Sequence, residues 1–258
     1  MSDENKTPET QQTPPAPKPV AKNNSKNSLG IPIAIVIAAL LVAGAILYKD
    51  SDSNGGGTQT NQDDPTEQQT PEIVVAPISE TDHILGDPNA PIVIVEYSDI
   101  DCPFCKNFHE TMNQVMAEYG EDGKVAWVYR QFPIPQLHPN APKIAEATEC
   151  VASMGGNEAF WKFTNMIFDE RGTNELTDMD NLPGFAAAVG VSESDFIACM
   201  DEGRFTKKIQ DDVQAAVAAG ARGTPYSILI AGGQQGVING AQQYTTVKQM
   251  IDSVLSQI

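Results

Sequence analysis

The segment Pro91 to Ser98, PIVIVEYS, is an almost continuous apolar run that three residues separate from a Cys-Pro-Phe-Cys motif. Such a run is typical of a strand that is buried on both faces of a sheet. Beyond the motif, apolar residues recur at helical spacing and predict a helix from Cys102 to Tyr119. A buried strand that leads directly into a helix restricts the chain to an α/β fold, with the motif at their junction.

The position of the two cysteines at this junction indicates redox chemistry. Pro103 suits the first helical position and places Cys102 near the N-cap, where free N–H groups and the helix dipole favour a thiolate. The thiolate is the reactive form, and Cys105 lies one turn later, within reach of the first sulfur. A zinc site would need four ligands, and Cys150 and Cys199 stand isolated in the sequence, so we expect no metal. An inert structural disulfide is the other alternative, which the strand-to-helix position disfavours.

The remainder of the segment from residue 72 to residue 258 reads as one globular domain. A mostly helical stretch at about residues 140–220 separates two groups of predicted strands, so we expect an α/β sheet with a helical insertion. The two glycines at positions 232 and 233 predict a hairpin. The predicted strands are Ile73 to Val75, Pro91 to Ser98, Val125 to Phe132, Tyr226 to Ala231 and Gln235 to Asn239, and a final helix covers Thr245 to Ser256.

The N-terminal part of the chain differs from this domain in composition. Residues 1–28 are polar and predict a disordered cytoplasmic tail. Residues 29–48, LGIPIAIVIAALLVAGAILY, carry no charge and, at about 30 Å as a helix, match the thickness of a bilayer core. They predict a single transmembrane anchor, and residues 49–71 form a Gly- and Gln-rich flexible linker. A cleaved signal peptide is the alternative, since Ala43-Gly44-Ala45 has the small-x-small pattern of a cleavage site.

Charge indicates the orientation of the anchor and excludes one class of partner. Lys18, Lys22 and Lys26 precede the apolar stretch, which places the N-terminus in the cytoplasm and the domain outside, at the cell membrane. The chain has 34 acidic and 16 basic residues, a formal charge of −18. Such a surface repels phosphate backbones, so nucleic acid is not an expected partner.

The segment Gly86 to His109, GDPNAPIVIVEYSDIDCPFCKNFH, resembles the DsbA-like branch of the thioredoxin superfamily. Gly223-Thr224-Pro225 before the strand YSILI and Gly240-Ala241 after the hairpin also match, so that the resemblance covers about residues 80–258. The resemblance implies a thioredoxin fold with an inserted helical subdomain, preceded here by the predicted transmembrane helix. It also implies a thiol–disulfide oxidoreductase whose redox-active disulfide serves without a further cofactor.

The resemblance assigns roles to residues of this chain. Cys102 would be the attacked sulfur and Cys105 the buried leaving group. Pro103, Phe104, Thr224 and Pro225 would contact the substrate, with Pro225 at the place of the family's cis-proline. Cys150 and Cys199 would form a structural disulfide of the helical insertion, the alternative being two free buried cysteines.

Glu96 is the only charged residue of PIVIVEYS. A carboxyl group buried in such a run is expected to have a raised pKa, and it could then exchange protons with Cys105 at neutral pH. The family has an acidic residue at the matching place. The alternative is a glutamate at a strand end that faces solvent.

We therefore predict a membrane-anchored, extracytoplasmic enzyme that introduces disulfides into exported proteins. Its partners would be unfolded or folding exported proteins with cysteines, and a membrane redox protein that recycles it. A reductase or isomerase remains an alternative, because the Pro-Phe pair and the neighbouring Asp99 and Asp101 predict a less oxidising site than Pro-His would give. A non-catalytic peptide-binding or holdase module is the alternative from another class.

Overall fold

The computed structural model describes residues 73–258. The predicted tail, transmembrane anchor and linker, at residues 1–28, 29–48 and 49–71, lie outside the described residues. Within residues 73–258, no helix combines the length and the apolarity that crossing a bilayer requires. The described elements are β1 (His83–Leu85), β2 (Ile92–Ser98), α1 (Pro103–Val115), β3 (Val125–Gln131), α2 (Ala141–Glu170), α3 (Leu182–Ala188), α4 (Glu193–Glu202), α5 (Thr206–Ala218), β4 (Tyr226–Ala231), β5 (Gln234–Asn239) and α6 (Tyr244–Leu255).

The five strands form one mixed sheet in the order β1-β3-β2-β4-β5. The central strand β2 pairs parallel to β3 and antiparallel to β4. Helix α1 makes the crossover between the two parallel strands, and all four helices of the predicted insertion lie between β3 and β4. The α/β fold with a helical insertion is therefore confirmed.

Alternation along β2 creates two cores, one on each face of the sheet. Ile92 and Ile94 belong to the larger core, together with residues of α1, α2 and α6. Val95 and Tyr97 belong to the smaller core on the opposite face. Glu96 shares the parity of Ile94, so its side chain lies on the α1 face. This register places the one acidic residue of the strand beneath the cysteine-bearing helix.

Two elements differ from the sequence prediction. The residues from Ile73 to Val75 form no strand, and Ile73 and Val75 pack instead against the smaller core. The fifth strand is β1, whose three residues pair with β3 at the sheet edge. The helix after the cysteines is α-helical only to Val115 and continues as a π-helical turn, Met116–Gly120. That turn keeps Met116 and Tyr119 buried.

Helix α2 is bent, because Gly156 adopts φ 75° and ψ −174° inside it. A residue with a Cβ rarely adopts such a φ, so glycine suits this position. The half of α2 before the bend carries Cys150, whose Sγ is bonded to the Sγ of Cys199 on α4, with the two Cα atoms 5.9 Å apart. The helical insertion is thus cross-linked within itself.

Candidate active site

Cys102 occupies the N-cap of α1, with extended backbone angles, and Pro103 is the first helical residue. The two cysteines are unpaired, so the structure represents the dithiol form. Cys102 is 4% exposed and Cys105 is fully buried. An incoming sulfur therefore has access to Cys102 rather than to Cys105.

The pKa of Cys102 is lowered from 9.0 to about 6. The main cause is a hydrogen bond from the Cys105 thiol, and the backbone N–H groups of Cys105 and Phe104 at the helix start add to it. Burial opposes the shift but does not cancel it. At neutral pH Cys102 is therefore mostly a thiolate, the form that reacts with disulfides.

Cys105 has the opposite character. Burial first, and then the interactions with Cys102 and Glu96, raise its pKa well above the ordinary value. The Asp99 backbone N–H donates to its Sγ at 3.4 Å. The pair thus consists of one exchangeable thiolate and one buried sulfur that holds its proton.

Glu96 lies on the same face of the sheet as the dithiol and is fully buried. Burial is the main cause that raises its pKa from 4.5 to about 7, and the negative charge of Cys102 adds to the effect. The indole N–H of Trp127, which donates to Oε2 at 2.9 Å, opposes the shift by stabilising the carboxylate. Glu96 is therefore not the solvent-facing glutamate of the alternative reading.

Hydroxyl groups surround Glu96 along the sheet. The register places Tyr129 of β3 and Ser227 of β4 opposite Glu96, and Ser98 follows on the same face. Within residues 73–258 their hydroxyl oxygens and Glu96 Oε1 have no hydrogen-bond partner. Buried polar atoms usually have hydrogen-bond partners, so this group of unpaired oxygens around Glu96 is unusual for a protein core.

The residues proposed to meet a substrate lie around Cys102. Thr224 precedes a cis peptide bond to Pro225, and its carbonyl oxygen lies 3.6 Å from Cys102 Sγ, from which it accepts a hydrogen bond when Cys102 is protonated. Phe104, the second residue between the cysteines, is 62% exposed. The structure thus brings Cys102, Phe104 and the Thr224–Pro225 bond to one place, whereas Cys150 and Cys199 lie in the insertion.

Two further residues that support the site come from distant parts of the sequence. Asp99 accepts hydrogen bonds from the backbone N–H of Ile134 at 2.7 Å and from His138 Nδ1 at 2.8 Å, which ties the loop after β3 to the residue that contacts Cys105. Arg171 donates from Nη2 to the Cys102 carbonyl oxygen at 2.9 Å. No local sequence signal indicates either contact, because the partners are 39 and 69 positions apart.

A dithiol at the start of a helix after a central strand, faced by a cis-proline, defines a thioredoxin-fold protein with a thiol–disulfide site. The family model described as Thioredoxin (Thioredoxin_4) matches residues 78–253, and the chain belongs to this family. The resemblance to its DsbA-like branch is thereby upheld at the level of the fold.

Solved structures of DsbA-type proteins share this fold. Oxidised BdbD from Bacillus subtilis superposes with a TM-score of 0.62 at 20% identity, covering 71% of this chain and 98% of that chain. Wolbachia pipientis α-DsbA1 superposes with a TM-score of 0.59 at 23% identity, covering 70% of this chain and 94% of that chain. At such identities the likeness concerns the fold alone.

Sequence relatives among curated proteins carry another name. A Na(+)/H(+) antiporter NhaA from Herminiimonas arsenicoxydans is 30% identical over 199 residues, which are 77% of this chain and 29% of the antiporter. NhaA 1 from Mycolicibacterium gilvum is 32% identical over 146 residues, 57% of this chain and 23% of that protein. The chain thus spans less than a third of the length of these relatives.

Proposed function

We propose that this chain is a membrane-anchored, extracytoplasmic thiol–disulfide oxidoreductase that introduces disulfides into exported proteins through Cys102 and Cys105. The observation that carries the proposal is the opposite character of the two sulfurs. The pKa of Cys102 is lowered to about 6, whereas that of Cys105 is raised well above its ordinary value. A pair of this kind releases a stable thiolate at the accessible position and a thiol at the buried one.

The reaction follows from this asymmetry. In the oxidised enzyme, a substrate thiolate attacks Cys102 Sγ, the Cys102–Cys105 bond breaks, and Cys105 leaves with the electron pair. A second substrate thiolate then attacks the substrate sulfur of the mixed disulfide, forms the substrate disulfide and releases Cys102 as a thiolate. The substrate loses two electrons, and the Cys102–Cys105 disulfide gains them as it becomes the dithiol.

The leaving Cys105 requires a proton, because its pKa in the dithiol is far above neutrality. Glu96, with a pKa raised to about 7 by burial, can both hold and release a proton near neutral pH. Its carboxyl group lies on the α1 face, where its charge acts on Cys105. We assign to Glu96 the transfer of this proton as the disulfide opens, and its removal as the disulfide closes.

The oxidising direction is supported by the stability of the Cys102 thiolate. Whatever stabilises the thiolate stabilises the reduced enzyme, and an enzyme with a stable reduced form is a strong oxidant. Asp99 and Asp101, expected from the sequence to disfavour the thiolate, direct carboxylate oxygens at protein donors. These hydrogen bonds leave the negative charges in place, and the pKa of Cys102 is lowered to about 6 despite them, which favours an oxidase over a reductase.

The proposed location rests on two separate features. Residues 29–48 have the length and apolarity of a membrane anchor, and the lysines before them indicate a cytoplasmic N-terminus. The bond between Cys150 and Cys199 is of a kind that persists in oxidising compartments. The proposed partners are exported proteins with unpaired cysteines and a membrane redox protein that reoxidises the dithiol; the redox-active disulfide serves as the only carrier of electrons.

The test is to equilibrate the full-length chain, purified in detergent, with glutathione buffers and to measure the fraction of oxidised Cys102–Cys105. A reduction potential of about −120 mV is expected for an oxidase of the DsbA type. A value near about −270 mV, as in thioredoxin, would contradict the oxidising role and favour a reductase. The Cys102→Ser variant is expected to lose all oxidation of a reduced substrate protein, and retained function there would indicate a peptide-binding module.

A further inference from the structure

Arg171 lies immediately after the last residue of α2, and its side chain is buried against the active site. The residue is 5% exposed, and its guanidinium lies 5.6 Å above the ring of Phe168. Nη2 donates to the carbonyl oxygen of Cys102 at 2.9 Å, and Nη1 donates to the carbonyl oxygen of Glu175 at 3.1 Å. The same Cys102 carbonyl accepts the first helical hydrogen bond, from the Lys106 N–H. Arg171 therefore holds the carbonyl group at the start of α1.

Within the described residues, the guanidinium of Arg171 forms no direct ion pair. Among residues 73–258, no acidic side chain lies within 4.0 Å of its guanidinium nitrogens. Arg130, the other buried arginine, offers the contrast, because its Nε lies 2.7 Å from Asp82 Oδ1. Burial of such a cation is costly and lowers the pKa of Arg171, and the more distant charges of Asp101, Cys105 and Cys102 oppose that shift. A thiolate at Cys102 would offset that cost, and the cation would stabilise the thiolate in return.

Asp101, which directly precedes Cys102 in the sequence, carries the opposing charge. Its carboxylate is buried, and Oδ1 accepts hydrogen bonds from the Thr177 backbone N–H at 2.9 Å and from the Thr177 hydroxyl at 2.6 Å. Its second oxygen, Oδ2, has no partner within the described residues. The segment from Arg171 to Thr177 thus contacts both residues at the helix start, one through a cation and the other through neutral donors.

We propose that Arg171 is a positioning residue that sets the redox poise of the dithiol. Its guanidinium fixes the Cys102 carbonyl and supplies the positive charge that stabilises the Cys102 thiolate against the buried carboxylate of Asp101. The proposal rests on the proposed function only in requiring that Cys102 and Cys105 form a redox pair, and it is independent of the direction in which that pair works.

The expected effects follow from charge. Loss of the cation destabilises the thiolate and hence the reduced form, so that the enzyme becomes a weaker oxidant. Loss of the Asp101 carboxylate is expected to stabilise the thiolate and to make the enzyme a stronger oxidant. Asp101→Asn is nearly isosteric, and its amide oxygen still accepts both hydrogen bonds from Thr177. Asp101→Asn therefore changes the charge next to Cys102 without releasing the segment from Arg171 to Thr177.

The experiment compares Arg171→Met, Arg171→Lys and Asp101→Asn in the full-length chain, with Arg204→Met as the control. Arg204 is an exposed arginine paired with Glu202, so its removal changes the net charge equally but away from the site. Thiolate absorbance against pH gives the pKa of Cys102, and equilibration with glutathione gives the redox equilibrium constant. Arg171→Met is expected to raise the pKa of Cys102 and to weaken the oxidant about tenfold, or about 30 mV. Arg171→Lys is expected to retain part of the effect, and Asp101→Asn to shift both quantities the other way.

The proposal would be overturned by an Arg171→Met variant that folds, as shown by a wild-type circular dichroism spectrum, but keeps the wild-type redox properties. These are an unchanged pKa of Cys102 and a redox equilibrium constant with glutathione within about twofold of wild type. If Arg171→Met does not fold, the Asp101→Asn variant decides the question. This variant removes the carboxylate charge that the proposal sets against Arg171. An unchanged pKa of Cys102 in Asp101→Asn would therefore also overturn the proposal. Failure of the proposed function looks different. In that case the wild-type chain itself forms no Cys102–Cys105 disulfide in any glutathione buffer.

Discussion

The indole N–H of Trp127 on β3 donates to Oε2 of Glu96 on β2 at 2.9 Å, in the middle of the sheet and beneath the cysteine-bearing helix. The bond favours the charged form of Glu96, but burial outweighs it and brings the pKa of the carboxyl group to about 7. This balance brings the ionisation of Glu96 close to neutral pH. Glu96 can therefore carry a proton for the dithiol because burial raises its pKa while the hydrogen bond from Trp127 limits the increase.

Glu96→Gln is expected to change the pH dependence of the free energy of unfolding and to slow disulfide exchange. Below the ordinary pKa of 4.5, Glu96 is protonated in the folded and the unfolded chain, so its contribution to stability is fully present. As the pH rises toward about 7, the unfolded chain loses the proton first, and the folded state loses up to about 3 kcal/mol relative to its unfolded state. Glutamine removes this loss.

Urea unfolding of the reduced protein at pH 5 and pH 8 measures the effect. The free energy of unfolding is expected to differ less between the two pH values in Glu96→Gln than in the wild type. Disulfide exchange with a reduced peptide is expected to slow, because Cys105 loses its proton donor. The role assigned to Glu96 would be wrong if the variant kept both the wild-type pH slope of stability and the wild-type exchange rate.

Trp127→Phe is expected to raise the pKa of Glu96 above about 7, since it removes a hydrogen bond that favours the carboxylate while leaving an aromatic ring in place. The infrared carboxyl band of Glu96, followed against pH, measures the shift. Trp161→Phe is the matched control. Its ring lies 4.6 Å from that of Trp127, and its indole nitrogen has no hydrogen-bond partner among the described residues. An equal shift in both variants would show that core packing, not the hydrogen bond, sets the pKa.

Phe104→His is expected to make the site more oxidising without affecting the fold, because the side chain is 62% exposed. A histidine at this position can donate to the Cys102 thiolate and lower the pKa of Cys102 below about 6. Thiolate absorbance against pH and the glutathione equilibrium measure the change. Phe104→Leu, which adds no donor, is expected to leave both unchanged, and a histidine variant that behaves like the leucine variant would contradict the idea.

The part of the site that the sequence predicts is the part built by neighbouring residues. The apolar run, the proline inside the motif and the helical spacing behind it act within one stretch of chain, so Cys102, Cys105 and the buried Glu96 could be read directly. The family resemblance added Thr224–Pro225, which lies far along the chain and contacts Cys102 only in the folded protein.

The remainder depends on tertiary contacts that local patterns do not encode. His83–Leu85 forms a strand because β3 offers a free edge, although three residues give no periodicity to detect. Ile73 to Val75, more apolar, remains outside the sheet. Arg171 and His138 reach the active site through loops, and nothing in their own surroundings distinguishes them from surface residues.

The disulfide between Cys150 and Cys199 is expected to stabilise the helical insertion. It joins the first half of α2 to α4 across 49 positions of sequence, and closing such a loop in the unfolded chain corresponds to about 4 kcal/mol in the chain-entropy model. Replacing both cysteines by alanine is expected to lower the free energy of unfolding by about that amount in urea titrations. The matched control replaces Cys102 and Cys105 by serine, which removes the same number of sulfurs from the active site.

The labelling pattern of the folded chain provides an independent check of the same bond. After mild reduction that opens only the accessible disulfide, alkylation in denaturant is expected to label Cys102 and Cys105 and to leave Cys150 and Cys199 unlabelled. The two helical cysteines are fully buried, so glutathione has no direct access to them. Labelling of all four cysteines under these conditions, or an alanine pair as stable as wild type, would show that the bond does not hold the insertion together.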